Sequence, residues 1–330
     1  MVSKEDRIDL LHRLGEYMSG GDEAWLHAKD MATSRNSWFD PENIELATSG
    51  IVTQLLQKDL LTKWASAYTT AAEAKKVGIV MAGNIPMVGF HDFLCGFVSG
   101  HDMQIKLSSK DDILLRHTVE KLKEWAPALN DHIIFSDNLK GCDAYIATGS
   151  NNTSRYFEQY FSKWPNIIRK NRTSVAILRG DETPEELKLL GKDMFSYYGL
   201  GCRNVTKVYV PEGYDFQLLL NGLDSFKELM LHHKYKNNYD YQLAIYLLNK
   251  VPYMTNDFVL MIENKVPFSA VSVLHYEYYT SEPTLLQDLQ SDDNIQCVVD
   301  NRQIGYGSSQ QPSLTDYADG VDTMMFLSTL

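Results

Sequence analysis

The sequence contains few cysteines for its length. Its 330 residues include four, which lie far apart and form neither a CxxC pair nor a zinc-type spacing with histidines: Cys95, Cys142, Cys202 and Cys297. Disulfide frameworks and structural zinc sites both need cysteines at close, regular spacing. We therefore expect neither, and we expect the protein to work in the reducing cytoplasm.

Positive charge is also scarce. The chain has 31 Lys and Arg residues against 43 Asp and Glu residues, and its net charge is -12. Such an acidic surface repels phosphate backbones and anionic lipid headgroups. This charge balance disfavours a general nucleic-acid-binding protein. Hydrophobic residues make up 44% of the sequence, which is enough apolar material for large cores. The length predicts about two domains.

No hydrophobic run is long and uninterrupted. The segment MVSKEDRIDLLHRLGEY at the N-terminus is charged throughout and has no apolar core of the signal-peptide type. From Val77 to Val98 a mostly apolar stretch has roughly the length of a membrane span. Asn84, Pro86, His91 and Asp92 interrupt this stretch, and polar groups are costly in lipid. We predict a buried strand, a loop and a core helix here, and no membrane span.

The first third of the sequence has helical periodicity. Apolar residues recur at helical spacing near the N-terminus: Ile8, Leu11, Leu14 and Met18. Asp40 before Pro41 is a typical helix start, since an N-cap acceptor precedes proline. A long amphipathic helix is predicted from Pro41 through Trp64.

After Lys76, short apolar runs alternate with helical stretches. The predicted strands are Val77–Ala82, Met103–Leu107, His132–Phe135 and Ala144–Thr148. The predicted helices are Pro86–Val98, Asp111–Trp125 and Asn151–Phe161. Continuous apolar strands joined by helices indicate a doubly wound parallel sheet, and ligands bind such sheets at the carboxyl ends of the strands.

A second set of strands and helices follows. Its predicted strands are Ser174–Leu178, Lys207–Pro211, Phe258–Ile262 and Ala270–Tyr276, with a helix at Pro184–Tyr197. The polar, basic segment Asn166–Arg172 is the predicted hinge between the two domains. We therefore predict an α/β protein with one domain in residues 1–172, a second α/β domain in residues 173–315, and a C-terminal segment in residues 316–330.

Two segments that follow strands of the first domain carry side chains suited to ligands. Asn84, within Gly83–Pro86, could donate its amide to a developing oxyanion, or it could be an ordinary turn residue. Lys106, Ser108 and Ser109 could hold ribose hydroxyls or a phosphate, or they could form a solvated strand end. The residues alone leave both alternatives open.

Two further segments combine glycine with a reactive or capping residue. Gly149 and Ser150 precede a helix whose N-terminal amides would favour a pyrophosphate, although Ser150 is equally suited to be a plain N-cap. In Gly199–Arg203 the flanking glycines let the backbone approach a ligand, and Arg203 could activate the Cys202 thiol. The alternative is a small buried cysteine, as we predict for the other three cysteines.

The four segments, in this order and on these elements, resemble the aldehyde dehydrogenase superfamily. They are most similar to the acyl-CoA reductase family typified by the reductase subunit of bacterial bioluminescence. AGNIP is similar to the oxyanion loop, KLSS to the ribose-binding strand end, ATGSNNTSRYF to the nucleotide turn and YYGLGCRN to the nucleophile loop. Pro267–Ala270 resembles the turn under the nicotinamide, and Asp316–Leu327 resembles the closing strand. The resemblance extends from about Trp38 to the C-terminus.

This resemblance implies an aldehyde dehydrogenase-like fold, with a cofactor domain and a catalytic domain. It implies that Cys202 is the nucleophile and that Asn84 is an oxyanion donor, helped by the Cys202 backbone amide. The implied cofactor residues are Lys106, Ser108 and Ser109 at the adenosine ribose, Gly149 and Ser150 at the pyrophosphate, and Phe268 under the nicotinamide. Members that prefer NAD often carry a glutamate at the position of Ser109. Here a hydroxyl stands there with Lys110 beside it, so NADPH is the expected cofactor.

Two positions depart from the pattern of the superfamily. Oxidising members carry a glutamate ahead of the nucleophile where this chain has Ile168. The glutamate that often binds the nicotinamide ribose is replaced by Val266, and Glu263 is out of register. Because an apolar side chain cannot activate water, the first departure favours reduction over hydrolysis of an acyl-enzyme.

The resemblance therefore implies NADPH-dependent reduction of a fatty acyl-CoA to an aldehyde through an acyl-cysteine intermediate. Two alternatives remain: an oxidative NAD(P)-dependent aldehyde dehydrogenase, and a non-catalytic subunit that docks an acyl-transferring enzyme. The expected partners are the acyl-CoA substrate and an acyl-protein synthetase or acyl carrier. A homo-oligomer is a further expectation, whereas a metal and nucleic acid are not expected.

Overall fold

A computed structural model describes residues 2–70 and 73–330, which fall into two compact units. Unit 1 comprises residues 1–171 together with the returning segment Gln311–Leu330. Unit 2 is the contiguous segment Arg172–Gln310. No helix within the described residues combines the length and the hydropathy that a bilayer crossing requires.

Unit 1 begins with helices that precede its sheet. They are α1 (Lys4–Ser19), α2 (Glu23–Arg35), α3 (Pro41–Gly50) and α4 (Lys58–Ser66). The single helix predicted from Pro41 to Trp64 is wrong, because a π-helical segment, Ile51–Leu55, follows α3 and Gln57 is extended. Gly50 is a weak helix former, and the Thr53 hydroxyl donates to the Ser49 carbonyl at 2.9 Å, so the α-helical ladder is weakened here.

The sheet of unit 1 is parallel. Its strands are β1 (Lys76–Val80), β2 (Asp102–Lys106), β3 (Ile133–Phe135), β4 (Ala144–Thr148) and β5 (Asn166–Arg169), and they are arranged in the order β3-β2-β1-β4-β5. The connecting helices are α5 (Phe90–Ser99), α6 (Ile113–Trp125) and α7 (Asn151–Phe161). The strand order reverses between β1 and β4, which makes this pair the topological switch point where ligands bind in such folds.

Two local predictions in unit 1 are corrected by the structure. Helix α5 begins at Phe90 and not at Pro86, because the preceding residues form a turn with Met87 at a φ of 54°. The predicted basic hinge Asn166–Arg172 is in part the edge strand β5, which pairs with β4. Arg169 can lie buried in this strand because its guanidinium pairs with the carboxylate of Asp92 at 2.7 Å.

Unit 2 contains a mixed sheet. Its strands are β6 (Thr173–Ile177), β7 (Val205–Pro211), β8 (Met254–Thr255), β9 (Leu260–Glu263), β10 (Val273–Tyr279) and β11 (Ile295–Val299), in the order β11-β6-β7-β10-β9-β8. Its helices are α8 (Pro184–Phe195), α9 (Phe216–Leu223), α10 (His233–Asn249) and α11 (Glu282–Ser291). β8 runs antiparallel to β9, and the other pairs are parallel. Leu190 of α8 and Leu219 of α9 are fully buried in a core that includes Val208 and Leu274 of the central strands.

The C-terminal segment differs from the closing strand that we expected. It contains a 3₁₀ turn at Ala318–Gly320 and helix α12 (Thr323–Ser328). Asp322 caps this helix by accepting a hydrogen bond from the Met325 N–H at 2.8 Å. Met324 and Leu327, which are spaced one helical turn apart, are buried in the core of unit 1. The helical spacing of these two residues therefore fits the packing better than strand alternation would.

Candidate active site

The predicted cofactor residues of unit 1 lie at one edge of its sheet. The loop with Asn84 follows β1, Lys106 ends β2, and Gly149 and Ser150 follow β4. Val80 at the end of β1 is in register with Lys106 on one side and with Ala147 on the other. The structure thus brings these segments together at the carboxyl edge, on both sides of the switch point.

The residues after β2 form a tight turn. The Ser108 Oγ accepts a hydrogen bond from the Lys110 N–H at 3.3 Å, and the Ser108 carbonyl accepts one from the Asp111 N–H at 3.0 Å. The side chains of Lys106, Ser109 and Lys110 are exposed, whereas Ser108 is half-buried. The exposed ammonium and hydroxyl groups are therefore available to a ligand, while Ser108 also stabilises the turn.

Gly149 and Ser150 form the start of α7. The Ser150 Oγ accepts a hydrogen bond from the Thr153 N–H at 3.3 Å, so Ser150 is an N-cap, as the structural alternative predicted. A Cβ on Gly149 would lie 2.9 Å from a ring carbon of Phe157, so close packing of α7 requires glycine here. Neither role competes with an anion, because the other N-terminal amides of a helix still favour negative charge.

Cys202 lies in a loop with an unusual backbone. Three consecutive residues ahead of it, Tyr197, Tyr198 and Gly199, have φ angles of 54°, 57° and 77°. A left-handed conformation costs non-glycine residues on the order of 1 kcal/mol or more each, and it persists only where the surroundings enforce it. Cys202 itself is partly exposed. Residues 196–204, which we call the nucleophile loop because Cys202 is the predicted nucleophile, are therefore held in a strained shape around a partly exposed cysteine.

Asn204 is the side chain that enforces this shape. It is fully buried, and its amide nitrogen donates to the carbonyls of Asp193, Met194 and Ser196 at 3.0, 3.3 and 2.9 Å. Its side-chain oxygen accepts the Gly201 N–H at 2.7 Å. One side chain thus satisfies the carbonyls at the end of α8 and fixes the residue before Cys202.

A second cysteine lies close to the nucleophile loop. The Ser174 Oγ donates to the Cys202 carbonyl at 3.1 Å and lies 3.0 Å from the Cys297 Sγ. Cys95 and Cys142 are buried, as predicted, and burial raises the pKa of each thiol. Cys297 packs against the core of unit 2 but is only half-buried, so the prediction of a fully buried cysteine is wrong for it and that of a core contact is confirmed. Its position beside Ser174 follows from the pairing of β11 with β6, which the sequence did not predict.

Phe268 follows a backbone segment that three side chains fix in place. The carbonyls of Lys265, Val266 and Pro267 each accept a hydrogen bond from a side chain of β7 or β10. The donors are Lys207 Nζ at 2.8 Å, His275 Nδ1 at 2.7 Å and Thr206 Oγ1 at 2.7 Å, respectively. Burial lowers the pKa of His275, which favours the neutral ring with the proton on Nδ1.

Lys207 is the least expected member of this group. Its side chain is fully buried, and its ammonium pairs with Glu277 at 2.5 Å.

The loops with Cys202 and Phe268 precede the neighbouring parallel strands β7 and β10, so both lie at the amino edge of the sheet of unit 2. The structure thus brings Cys202 and Phe268 to one edge of unit 2, and Asn84, Lys106, Ser109, Gly149 and Ser150 to one edge of unit 1.

Comparison by sequence finds neither a protein-family model nor a curated protein that matches this chain. Comparison by structure does find matches. Aldehyde dehydrogenase 21 from Physcomitrella patens, in complex with succinate, aligns over 92% of this chain and 74% of its own, with a TM-score of 0.67 and 11% identity. The NAD+ complex of an aldehyde dehydrogenase from Bacillus cereus aligns over 90% and 71%, with a TM-score of 0.65 and 13% identity. A salicylaldehyde dehydrogenase from Pseudomonas putida G7, in complex with salicylaldehyde, aligns over 92% and 74%, with a TM-score of 0.66 and 10% identity.

The chain has an aldehyde dehydrogenase-like fold. The fold class expected from the sequence is thereby confirmed. At identities of 10–13% the likeness concerns the fold alone. The closer resemblance to acyl-CoA reductases stays a prediction that rests on the motifs.

Proposed function

We propose that the protein reduces acyl thioesters, with a fatty acyl-CoA as the expected substrate, to aldehydes by NADPH-dependent chemistry at Cys202. The observation that carries this proposal is the nucleophile loop, in which buried Asn204 holds a left-handed backbone around a partly exposed thiol. Strained backbone of this kind clusters at active sites. On an aldehyde dehydrogenase-like fold, a thiol held in this way is suited to covalent catalysis.

The residues at the carboxyl edge of unit 1 fit a nicotinamide dinucleotide. The Lys106 ammonium and the Ser109 hydroxyl are exposed donors for an adenosine ribose, and the first amides of α7 suit a pyrophosphate. Lys110 is exposed beside Ser109, and both can donate to a 2′-phosphate, which favours NADPH over NADH. When bound, this cofactor supplies the hydride.

The Cys202 sulfur would attack the carbonyl carbon of the thioester. A new carbon–sulfur bond forms, the bond to coenzyme A breaks, and coenzyme A leaves as its thiol after taking up a proton. Hydride supplied by the bound cofactor would convert the acyl group on Cys202 into a hemithioacetal oxyanion. Breaking its carbon–sulfur bond would release the aldehyde and return the Cys202 thiolate. Each addition creates an oxyanion, and the resemblance assigns the Asn84 amide and the Cys202 backbone N–H as its donors.

The direction that we propose for the reaction rests on the residue at position 168. Ile168 lies half-buried in β5, at the position where oxidising relatives carry their glutamate, and the segment from Asn166 to Ser174 contains no carboxylate. A general base for water is commonly worth about 10²–10⁴-fold in rate. Without one, the acyl-enzyme would persist until hydride arrives.

The test is to incubate the protein with acyl-CoAs of several chain lengths and NADPH, and to follow NADPH absorbance together with aldehyde. Cys202→Ala should abolish aldehyde formation, whereas Cys142→Ser, a matched change at a buried thiol remote from the nucleophile loop in sequence, should retain it. Faster conversion of aldehyde and NAD(P)+ to free acid would instead identify an oxidative enzyme. Failure to bind any nicotinamide cofactor would support a non-catalytic subunit.

A further inference from the structure

The loops that follow β1 and β2 are packed against each other. We call residues 83–89 the oxyanion loop and residues 107–112 the ribose loop. Gly83 is buried, and a Cβ built on it would lie 2.6 Å from the Cβ and Oγ of Ser108 and 3.1 Å from the Cβ of Asp111. Contacts this short leave no room for a side chain at Gly83, so a displacement of either loop must move the other.

Asp111 makes the polar connection between these loops. Its side chain is 7% exposed, and burial raises its pKa to about 7, while hydrogen bonds from the Met87 and Val88 backbone amides oppose that shift. Its Oδ1 has no hydrogen-bond partner among the described residues. Burying a carboxylate with one oxygen unpaired costs free energy, which makes a purely structural role a poor explanation for it.

The ribose loop is also fixed on its other side. The Asn36 side-chain amide donates to the Lys110 carbonyl at 3.2 Å, and the Met81 N–H donates to the Lys106 carbonyl at 3.0 Å. Asn36 is buried at the end of α2. With Lys106 and Lys110 tied to the rest of unit 1, a rearrangement of the ribose loop would reach the oxyanion loop through Ser108 and Asp111, which lie against Gly83.

We infer that Asp111 is a positioning residue through which occupation of the ribose loop sets the oxyanion loop and its Asn84. A ribose or phosphate bound at Lys106 and Ser109 orders the ribose loop and presses the Asp111 carboxylate onto the Met87 and Val88 amides. These amides belong to the turn that begins at Asn84, so the oxyanion donor reaches its working position once the cofactor is bound. The inference rests on the proposed function, because it takes Lys106 and Ser109 as cofactor contacts and Asn84 as the oxyanion donor.

Hydrogen–deuterium exchange with 2′,5′-ADP, the adenosine part of NADPH, tests this coupling without turnover. In the unaltered protein, 2′,5′-ADP should slow exchange in a peptide covering residues 83–89 by about five-fold or more. Asp111→Asn, which keeps the shape but removes the charge, should still bind 2′,5′-ADP and lose most of this protection. Asp131→Asn, a matched change at an exposed carboxylate, should behave like the unaltered protein.

A kinetic measurement separates positioning from a structural role. Asp111→Asn should lower kcat by about ten-fold with less than about a two-fold change in the KM for NADPH, as expected when only the transition state is affected. Binding of 2′,5′-ADP with unchanged exchange at residues 83–89 in the unaltered protein would overturn the coupling and leave the proposed function intact. Absence of any 2′,5′-ADP or NADPH binding by the unaltered protein would overturn the cofactor site and the coupling with it.

Discussion

Asn204 and Gly201 close the nucleophile loop, because the Asn204 side-chain oxygen accepts the Gly201 N–H at 2.7 Å inside the core of unit 2. The amide nitrogen of the same side chain lies within hydrogen-bond distance of three carbonyls at the end of α8. The shape of the loop and the end of the helix therefore depend on one residue.

Replacing Asn204 should harm both stability and turnover. Asn204→Ala leaves buried backbone groups unsatisfied, and we expect a loss of about 2–3 kcal/mol in the free energy of unfolding. Urea denaturation of unit 2 and the rate of aldehyde formation are the measurements. Asn204→Asp keeps an acceptor for the Gly201 N–H but puts a buried carboxylate oxygen against three carbonyls, so it should destabilise at least as much as Asn204→Ala. Asn221→Ala, at an exposed position of α9, is the control.

Removing the proposed oxyanion donor, Asn84, should slow the reaction without unfolding the protein. Asn84 is exposed, and Asn84→Ala should lower turnover by roughly 10²–10³-fold, the usual loss for one such donor. Both acylation, followed as thiol release, and hydride transfer, followed as NADPH consumption, should slow. Asn130→Ala, at another exposed turn, is the control. Unchanged turnover in Asn84→Ala would return Asn84 to the role of a turn residue.

The buried carboxylate of Asp111 should make stability depend on pH. Its pKa is raised from 3.8 to about 7 by burial, with the charge of neighbouring Asp112 acting in the same direction. Between these two values the folded state binds the proton and the unfolded state does not, so the free energy of unfolding falls as pH rises through this window. A pKa shift of this size corresponds to about 2–4 kcal/mol in the free energy of unfolding.

Asp111→Asn should remove this dependence. Relative to the unaltered protein, the variant should gain stability from about pH 4.5 to about pH 8, and the gain should level off above the folded pKa. Urea midpoints across this range give the measurement. A constant difference between the two proteins would show that the Asp111 carboxyl titrates alike in the folded and unfolded states.

The absence of a general base at position 168 should appear as a burst of thiol release. Mixing the protein with acyl-CoA in the absence of NADPH should release about one equivalent of thiol quickly and then almost none, because the acyl-cysteine has no activated water to hydrolyse it. Intact-mass analysis should place the acyl group on Cys202. Steady thiol release at the reductase rate would contradict the reductive assignment, and an adduct on another cysteine would contradict the nucleophile.

A substitution that introduces a base at position 168 tests the same prediction. If the side chain at position 168 faces the thioester, Ile168→Glu should raise formation of free acid at the expense of aldehyde. Ile168→Gln, which has similar size but cannot take up a proton, is the matched control. Equal acid formation by the two variants would show that polarity at position 168, and not a base, causes the hydrolysis.

The strands with continuous apolar runs were predictable from the sequence. β1, β2 and β4 lie where the apolar runs predicted them, and with them the loops that carry Asn84, Lys106 and Gly149. For β1 and β4 the prediction works because a strand buried on both faces has to be apolar along its length. In β2 the buried residues alternate, and Met103 and Ile105 carry the signal.

Elements stabilised by distant polar partners were not predictable. β5 was predicted as a hinge because its sequence is polar and basic. Arg169 can lie in a strand because its charge is neutralised by Asp92, a partner 77 residues earlier. Lys207 begins a predicted strand, and nothing near it in the sequence indicates that the Lys265 carbonyl and the Glu277 carboxylate would bind its buried ammonium. Periodicity reports local burial, and it carries no information on which remote carboxylate or carbonyl meets a buried cation.

The path of the chain through the two units bears on the order of folding during synthesis. Unit 1 is completed by Tyr317, Met324 and Leu327, which belong to its core although residues 172–310 of unit 2 separate them from the rest of that core. On the ribosome, unit 2 has all of its residues before unit 1 does. Unit 1 therefore begins first and finishes last. While unit 2 is being translated, the apolar positions that α12 will cover remain open to chaperones or to other nascent chains.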